Sequence, residues 1–509
     1  MDWNKIGRSW PNPSEGTHSG MKKLLAALLA LAGVAAAAGC TSSSGSPTGA
    51  GPAASGPRPN FVFVLTDDLA WNLVSHMPHV LALQKAGITM SNYYVVDSLC
   101  CPSRSAIFTG EYPHNDGVFT NTGRDGGYKA YNQHGDPSRS FAVAMQKSGY
   151  RTALMGKYLN GYRPADPPAP GWDEWDVTGN GYPEFNYTLN ENGHLKHYGH
   201  APGDYLTDVL SAKASAFISS SASSGKPFML EVATFAPHAP YTPAPRYSHA
   251  ARTVGYPETS AYDTLPANPP SWLKGRPPLT RMQRHKILRA YRKRVEADLS
   301  VDNMIGHLES DLRANGLAQH TYLVFSSDNG YHMGEYRLDP GKQTAFDTDI
   351  HVPLIVSGPG IPAGRVASQL TSNIDLCPTF ETLAGIPVPS TVDGHSLAAL
   401  WHGQNPPNWR QAVLIEHHGP DDTPGDPDRQ GRASADPPSY EAIRTATALY
   451  VRYSNGEQEY YNTADDPFEL DNIAGRGIPT ALPLALTAMQ NCHTGAACWA
   501  ASHLSPPGQ

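Results

Sequence analysis

The chain has 509 residues, 40% of them hydrophobic, which is enough for a large core and argues against disorder as the default state. Its formal charge is −8, and residues 1–39 carry four basic and two acidic side chains, so the remainder is more acidic still. This excludes a general polyanion binder, and with it nucleic acid; an anionic ligand would have to be held locally.

In chain order, residues 1–20 lack the features of an export signal and read as a non-native extension, with translation starting at Met21. Residues 21–40, "MKKLLAALLALAGVAAAAGC", place two lysines before an apolar run shorter than the about 20 residues of a membrane span, and read as a signal peptide. Its end resembles the lipobox of bacterial lipoproteins, which would make Cys40 a lipidated mature N-terminus, although Ala37 stands where leucine is usual. Cleavage at an Ala-x-Ala-like site, giving a secreted protein, is the alternative. Residues 41–59 are mostly Ser, Gly, Pro and Ala and form a flexible tether. The expectation is an exported protein, either a cell-surface lipoprotein or secreted, that meets a membrane only through an N-terminal lipid anchor.

Residues 60–409 read as one large α/β domain. The run from Phe61 to Leu65 is wholly apolar, as in a strand covered on both faces, and so predicts a parallel, doubly wound sheet. Thr152–Met155, Phe228–Thr234, Tyr322–Ser326 and Pro353–Val356 fit further strands of it. Apolar positions Ile287, Tyr291, Val295, Leu299, Ile305 and Leu308 predict a helix between them. Its basic stretch "RMQRHKILRAYRKR" reads as a solvated face, with an anionic chain as the alternative partner. Residues 410–509 change character: "ALYVRYSNGEQEYYNT" alternates around Asn455-Gly456, a hairpin signal, and predicts a smaller antiparallel C-terminal subdomain. Cys492 and Cys498, with five residues between them in an exported chain, are expected to form a disulfide. Cys377 stands alone as a small core residue.

Three polar clusters follow predicted strands, where an α/β sheet gathers its ligand crevice. These are Asp67-Asp68, Gly156-Lys157-Tyr158 and, in "FSSDNG", Asp328-Asn329. Adjacent carboxylates at buried strand ends repel unless a cation lies between them. With Asp328 and the Asn329 amide oxygen they make an all-oxygen set suited to Ca²⁺, with Mg²⁺ as the second choice, rather than zinc. Each pair alone is also an ordinary turn sequence, and their shared position favours the metal reading.

The stretch "SLCCPSRSAIFTG", Ser98 to Gly110, contains a pair of adjacent cysteines that is neither Cys-x-x-Cys nor a zinc spacing. Cys100-Cys101-Pro102-Ser103-Arg104, closed by Thr109-Gly110, resembles the Cys-x-Pro-Ser-Arg…Thr-Gly motif of type I sulfatases. Asp67-Asp68, Gly156-Lys157, "APHAPY" around His238, "SDNG" and Lys342 occur in that family's order, and "YYNTADDPFELDNIA" is similar to its C-terminal stretch. "GKYLNGY" and "SDNGYHMGE" look most like the branch holding N-acetylglucosamine-6-sulfatases and heparan 6-O-endosulfatases.

The resemblance implies an alkaline-phosphatase-like α/β/α sandwich and a calcium-dependent hydrolase of sulfate esters, on a sulfated small molecule or glycan. In the family a formylglycine-generating enzyme oxidises the first motif cysteine to formylglycine; register assigns this to Cys100, with Cys101 in the variable place. The aldehyde hydrate would attack sulfur with one hydroxyl and expel sulfate with the other. The resemblance further implies Asp67, Asp68, Cys100, Asp328 and Asn329 at the metal. It makes Asp328 the base, Arg104 the residue polarising the hydrate and His238 the acid at the leaving oxygen, with Lys157 and Lys342 on the sulfate oxygens. Leu159 occupies a position that is histidine in many sulfatases, which leaves Asn160 or His332 to supply the missing contact. A phosphodiesterase or phosphonate monoester hydrolase of the same superfamily is the alternative activity, and a non-catalytic anion-binding lipoprotein the alternative class.

Overall fold

The computed structural model describes residues 58–420, 426 and 428–504. The signal-like stretch, Cys40 and nearly all of the tether lie outside them. No helix among the described residues is long and apolar enough to cross a membrane.

A ten-stranded sheet organises the larger part of the chain. At its centre are β1 (Asn60–Thr66), β2 (Arg151–Lys157), β3 (Phe228–Ala233) and β4 (Thr321–Ser327), where the apolar runs predict strands. β1 pairs in parallel with β3 on one side and β4 on the other, and β2 adds in parallel to β3. The wholly apolar β1 serves two cores. Phe61, Phe63 and Leu65 point into one layer, Val62 and Val64 into the other, so the period-two alternation places apolar side chains on both faces. The sheet is not uniformly parallel: β5 (Leu354–Ser357) runs antiparallel to β4, and three strands from Glu174 to Tyr198 extend the opposite side, the last two antiparallel.

On the face lined by Phe63 and Leu65 lies α1 (Cys100–Thr109), every residue of which is buried. It ends at Gly110, whose φ of 72° is left-handed and where a Cβ would press on Val392 and Cys377. Glycine is therefore required twice over, by conformation and by packing. On the other face runs α2 (Arg281–Ala314), opened by a capping box between Thr280 and Gln283. Its basic stretch divides: Arg281, Arg284, His285, Lys286 and Arg289 are exposed, whereas Arg294 is fully buried.

The C-terminal sheet has four antiparallel strands, Val413–His417, Tyr440–Arg444, Ala448–Tyr453 and Gln458–Asn462. The last two are joined across Ser454–Glu457, with Gly456 at a φ of 86°. Cys492 and Cys498 are joined as a disulfide, and the Cys492 carbonyl accepts from His114 and Asn115 of the larger part.

Candidate active site

Because β1, β2, β3 and β4 run in one direction, their carboxyl ends deliver side chains to one place. Asp67 and Asp68 follow β1, Lys157 ends β2, His238 follows β3, and Asp328 and Asn329 follow β4. Cys100, first residue of α1, meets them. Its Sγ lies 3.2 Å from Asp67 Oδ1 and 2.8 Å from Lys342 Nζ. The neighbouring thiol takes another course. Cys101 packs within the apolar cluster of Ile107, Phe108, Tyr131 and Tyr158, while its backbone N–H donates to Asn121 Oδ1 at 2.8 Å. A helix turns successive side chains by about 100°, so adjacent cysteines at its first turn part company, one to the polar crevice and one to the core.

The carboxylates are buried and paired with cations. Asp67 Oδ2 lies 2.7 Å from Lys157 Nζ, Asp68 Oδ1 2.6 Å from Lys342 Nζ, and Asp328 Oδ2 2.8 Å from Arg104 Nε. Burial pushes the Asp67 carboxyl up, and Lys157 offsets this only in part. At Asp328 burial is outweighed by Arg104, Lys157 and Lys342, which bring it down to about 2. Asp68 has a left-handed φ of 65°, held from both sides: its N–H donates to Asp328 Oδ1 at 3.0 Å and its carbonyl accepts from buried Arg294. Lys157 also faces the ring of Tyr182 at 5.1 Å, and that ring packs against His238 at 4.6 Å.

Part of the site could hold a metal ion. One ligand atom each from Asp67, Asp68, Cys100 and His238 lies within 4.8 Å of the others. Asn329 Oδ1 is buried with no hydrogen-bond partner among the described residues, while its Nδ2 donates to Asp68 Oδ1 at 2.7 Å. An orphaned amide oxygen beside two buried carboxylates is the donor chemistry of Ca²⁺ or Mg²⁺.

His238 donates through Nδ1 to the Ala239 carbonyl at 2.7 Å, which turns Nε2 toward the crevice. Burial would lower its pKa, but Asp68 and Asp428 raise it to about 9. Asp428 belongs to none of the sequence motifs. Its Oδ1 receives His238 Nε2 at 2.6 Å and Lys342 Nζ at 2.8 Å; its Oδ2 receives Asn121 Nδ2 at 2.7 Å and Asn160 Nδ2 at 2.9 Å. Asn160 therefore faces the crevice beside Leu159. His332 does not join it: Nδ1 is bound to Asp349 at 2.9 Å and Nε2 to the Ser434 carbonyl at 3.0 Å. Asn121, Tyr182 and Asp428 escaped the sequence reading because ordinary loop residues carry no local signal of where the fold brings them.

A family model described as Sulfatase matches residues 59–386, and one described as N-sulphoglucosamine sulphohydrolase, C-terminal, matches residues 334–488. The chain belongs to the sulfatase family and is a sulfuric ester hydrolase. Human N-acetylglucosamine-6-sulfatase is 35% identical over 458 residues, covering 83% of this chain and 82% of that protein. An extracellular sulfatase SULF-1 homolog of Drosophila melanogaster is 35% identical over 372 residues, 71% of this chain and 33% of that protein. Within the family, the chain sits in the N-acetylglucosamine-6-sulfatase-like branch. A protein solved in complex with its substrate D-glucosamine-2-N,6-O-disulfate superposes with a TM-score of 0.69 at 24% identity, over 82% of this chain and 94% of that one. A phosphonate monoester hydrolase of Agrobacterium radiobacter gives 0.63 at 21% identity, over 82% and 92%. These likenesses establish the fold, an alkaline-phosphatase-like α/β/α sandwich with a smaller antiparallel C-terminal sheet.

Proposed function

We propose that the protein removes sulfate from a sulfated sugar, with the ester oxygens held where Lys342, His238, Asn160 and Asn121 converge beside Cys100. That convergence carries the reading: two cationic and two amide donors meet at one carboxylate, that of Asp428, at the carboxyl edge of the sheet, a donor set fit for a small anion. A sulfate ester repels nucleophiles and leaves as an alkoxide, so its catalyst must neutralise oxygens and protonate the leaving group.

Lys342 and Lys157 supply the charge. His238, with Nδ1 committed to the Ala239 carbonyl, presents Nε2 for the proton of the leaving oxygen. In this reading Asp328, held by Arg104, would accept a proton at residue 100, and Arg104 would orient that residue. A formylglycine made from Cys100 by a converting enzyme would supply, as its hydrate, paired hydroxyls for attack and release. A Ca²⁺ ion held by Asp67, Asp68, Asp328 and Asn329 would supply charge stabilisation at the same place. The name and substrate of the relatives point to a sulfated glucosamine. Export with tethering at Cys40 completes the reading; Cys40→Ala would release the protein into the soluble fraction.

Parallel assays on an aryl sulfate, an aryl phosphodiester and a panel of sulfated glucosamines test the activity. Turnover of the sulfates is expected, and turnover confined to the phosphodiester would overturn the reading.

A further inference from the structure

Asp428 is a carboxylate in the place a sulfate would need. Its side chain is 1% exposed and lies in a segment fastened to the larger part of the chain. Its N–H donates to Asp426 Oδ1 at 2.8 Å, and its carbonyl accepts from Gln430 Nε2 at 2.9 Å and Gln343 Nε2 at 3.3 Å. Further along, the Ala433 carbonyl accepts from the Asp339 N–H at 2.9 Å and the Ser434 carbonyl from His332. The residue is therefore built into the site by backbone contacts on its own peptide and on those that follow.

The partners of its carboxylate are all donors. Lys342 and His238 meet one oxygen, Asn121 and Asn160 the other, and the Cys100 thiol lies 3.6 Å from Oδ2. Lys342 also pairs with Asp68 at 2.6 Å, but the Asp428 carboxylate meets all four donors together, and a donor set of this kind left empty of an anion would be costly. A sulfate monoester carries a single negative charge, as the carboxylate does, so one can replace the other without changing the net charge of the site. Both cannot occupy it together, because like charges sharing four donors in a buried crevice repel.

We propose that Asp428 is the resident anion of the sulfate cradle, an intramolecular competitor that the substrate's sulfate group displaces and that thereby sets which anions can bind. The inference rests on the assignment of the cradle to sulfate made above. With the Asp428 N–H and carbonyl both bonded, displacement is a rotation of its side chain about Cα–Cβ. A tethered competitor acts at an effective concentration in the millimolar range or above. Loosely bound anions therefore fail to enter, while Lys342 and His238 remain charged and aligned between turnovers. An ester whose sugar makes further contacts has the surplus needed to displace the carboxylate.

The test uses the full-length, calcium-loaded protein with inorganic sulfate as the probe, titrated calorimetrically. Asp428→Asn keeps the shape and removes the charge; Asp428→Ala removes the group, and thermal unfolding checks that each variant folds. Sulfate is expected to bind at least tenfold more tightly to both variants than to the parent, with a parallel fall in KM for an aryl sulfate. Equal or weaker sulfate binding in both variants overturns the proposal. Lys342→Ala and His238→Ala, made on the Asp428→Asn background, separate the two levels. If they weaken sulfate binding but Asp428→Asn does not strengthen it, the competitor is wrong and the cradle stands. If they leave sulfate binding unchanged, the cradle assignment itself falls and the proposal with it.

Discussion

Arg104 Nε lies 2.8 Å from Asp328 Oδ2, with both side chains fully buried. The same guanidinium donates from Nη1 to the Lys157 carbonyl at 3.4 Å and approaches Asp67 Oδ1 to 3.9 Å from Nη2. One planar group thus ties the ends of β1, β2 and β4 together, which a flexible ammonium cannot do. Arg104→Lys is expected to lower kcat/KM by about 100-fold or more, in the range seen when a preorganised donor is lost. Steady-state kinetics on an aryl sulfate checks this, and a loss below tenfold would remove Arg104 from the reacting groups.

Cys100 and Cys101 separate the chemistry from the packing. Mass analysis of the peptide spanning residue 100 should show sulfur replaced by a carbonyl oxygen at that position, with Cys101 still alkylatable after unfolding. Cys100→Ala should abolish turnover, since no geminal hydroxyls can form there. Cys101→Ala should lose stability, about 1 kcal/mol for a small cavity in the core, and keep most of its activity. The opposite pattern of activities would put the motif one residue out of register.

Asp67, Asp68 and the orphaned Asn329 Oδ1 make activity and stability share one dependence on metal. Exhaustive chelation should lower turnover and the unfolding temperature together, and added calcium should restore both. Turnover that survives chelation unchanged would refute the cation site.

Glu231 stands at the centre of β3, registered between Phe63 and Leu154, with neither carboxylate oxygen hydrogen-bonded among the described residues. Burial raises it from 4.5 to about 8, only partly opposed by Arg104. For an acid raised on folding, the native state holds a proton that the unfolded chain has lost. Its stabilising contribution is therefore complete below pH 4.5 and is lost as the pH rises through 8. Glu231→Gln removes this term. Relative to the parent it should gain about 3 kcal/mol between pH 5 and pH 8. Chemical denaturation of both proteins across that range measures it, and parallel pH profiles would contradict it.

The sequence by itself determined the central strands of the large sheet and the polar pairs at their ends. Apolar runs of strand length, such as Phe61–Leu65, have little choice but a sheet covered on both faces. Paired polar residues directly after them, Asp67-Asp68 and Asp328-Asn329, must then fall at strand ends. Those are local facts of periodicity and adjacency. Tertiary structure decided what depends on pairing between distant segments. β5 joins the sheet antiparallel, a direction that its own residues do not encode. His332, two residues past Gly330 in the "SDNG" stretch, is taken up by Asp349 and the Ser434 carbonyl instead of the crevice. Arg294, one cation among many on α2, is drawn inside to the Asp68 carbonyl, while Arg281, Arg284, Lys286 and Arg289 remain exposed. Asn121 and Asp428 lie 307 residues apart and meet at 2.7 Å. A buried donor selects its acceptor by geometry in the folded chain, and no period or spacing in the sequence records that choice.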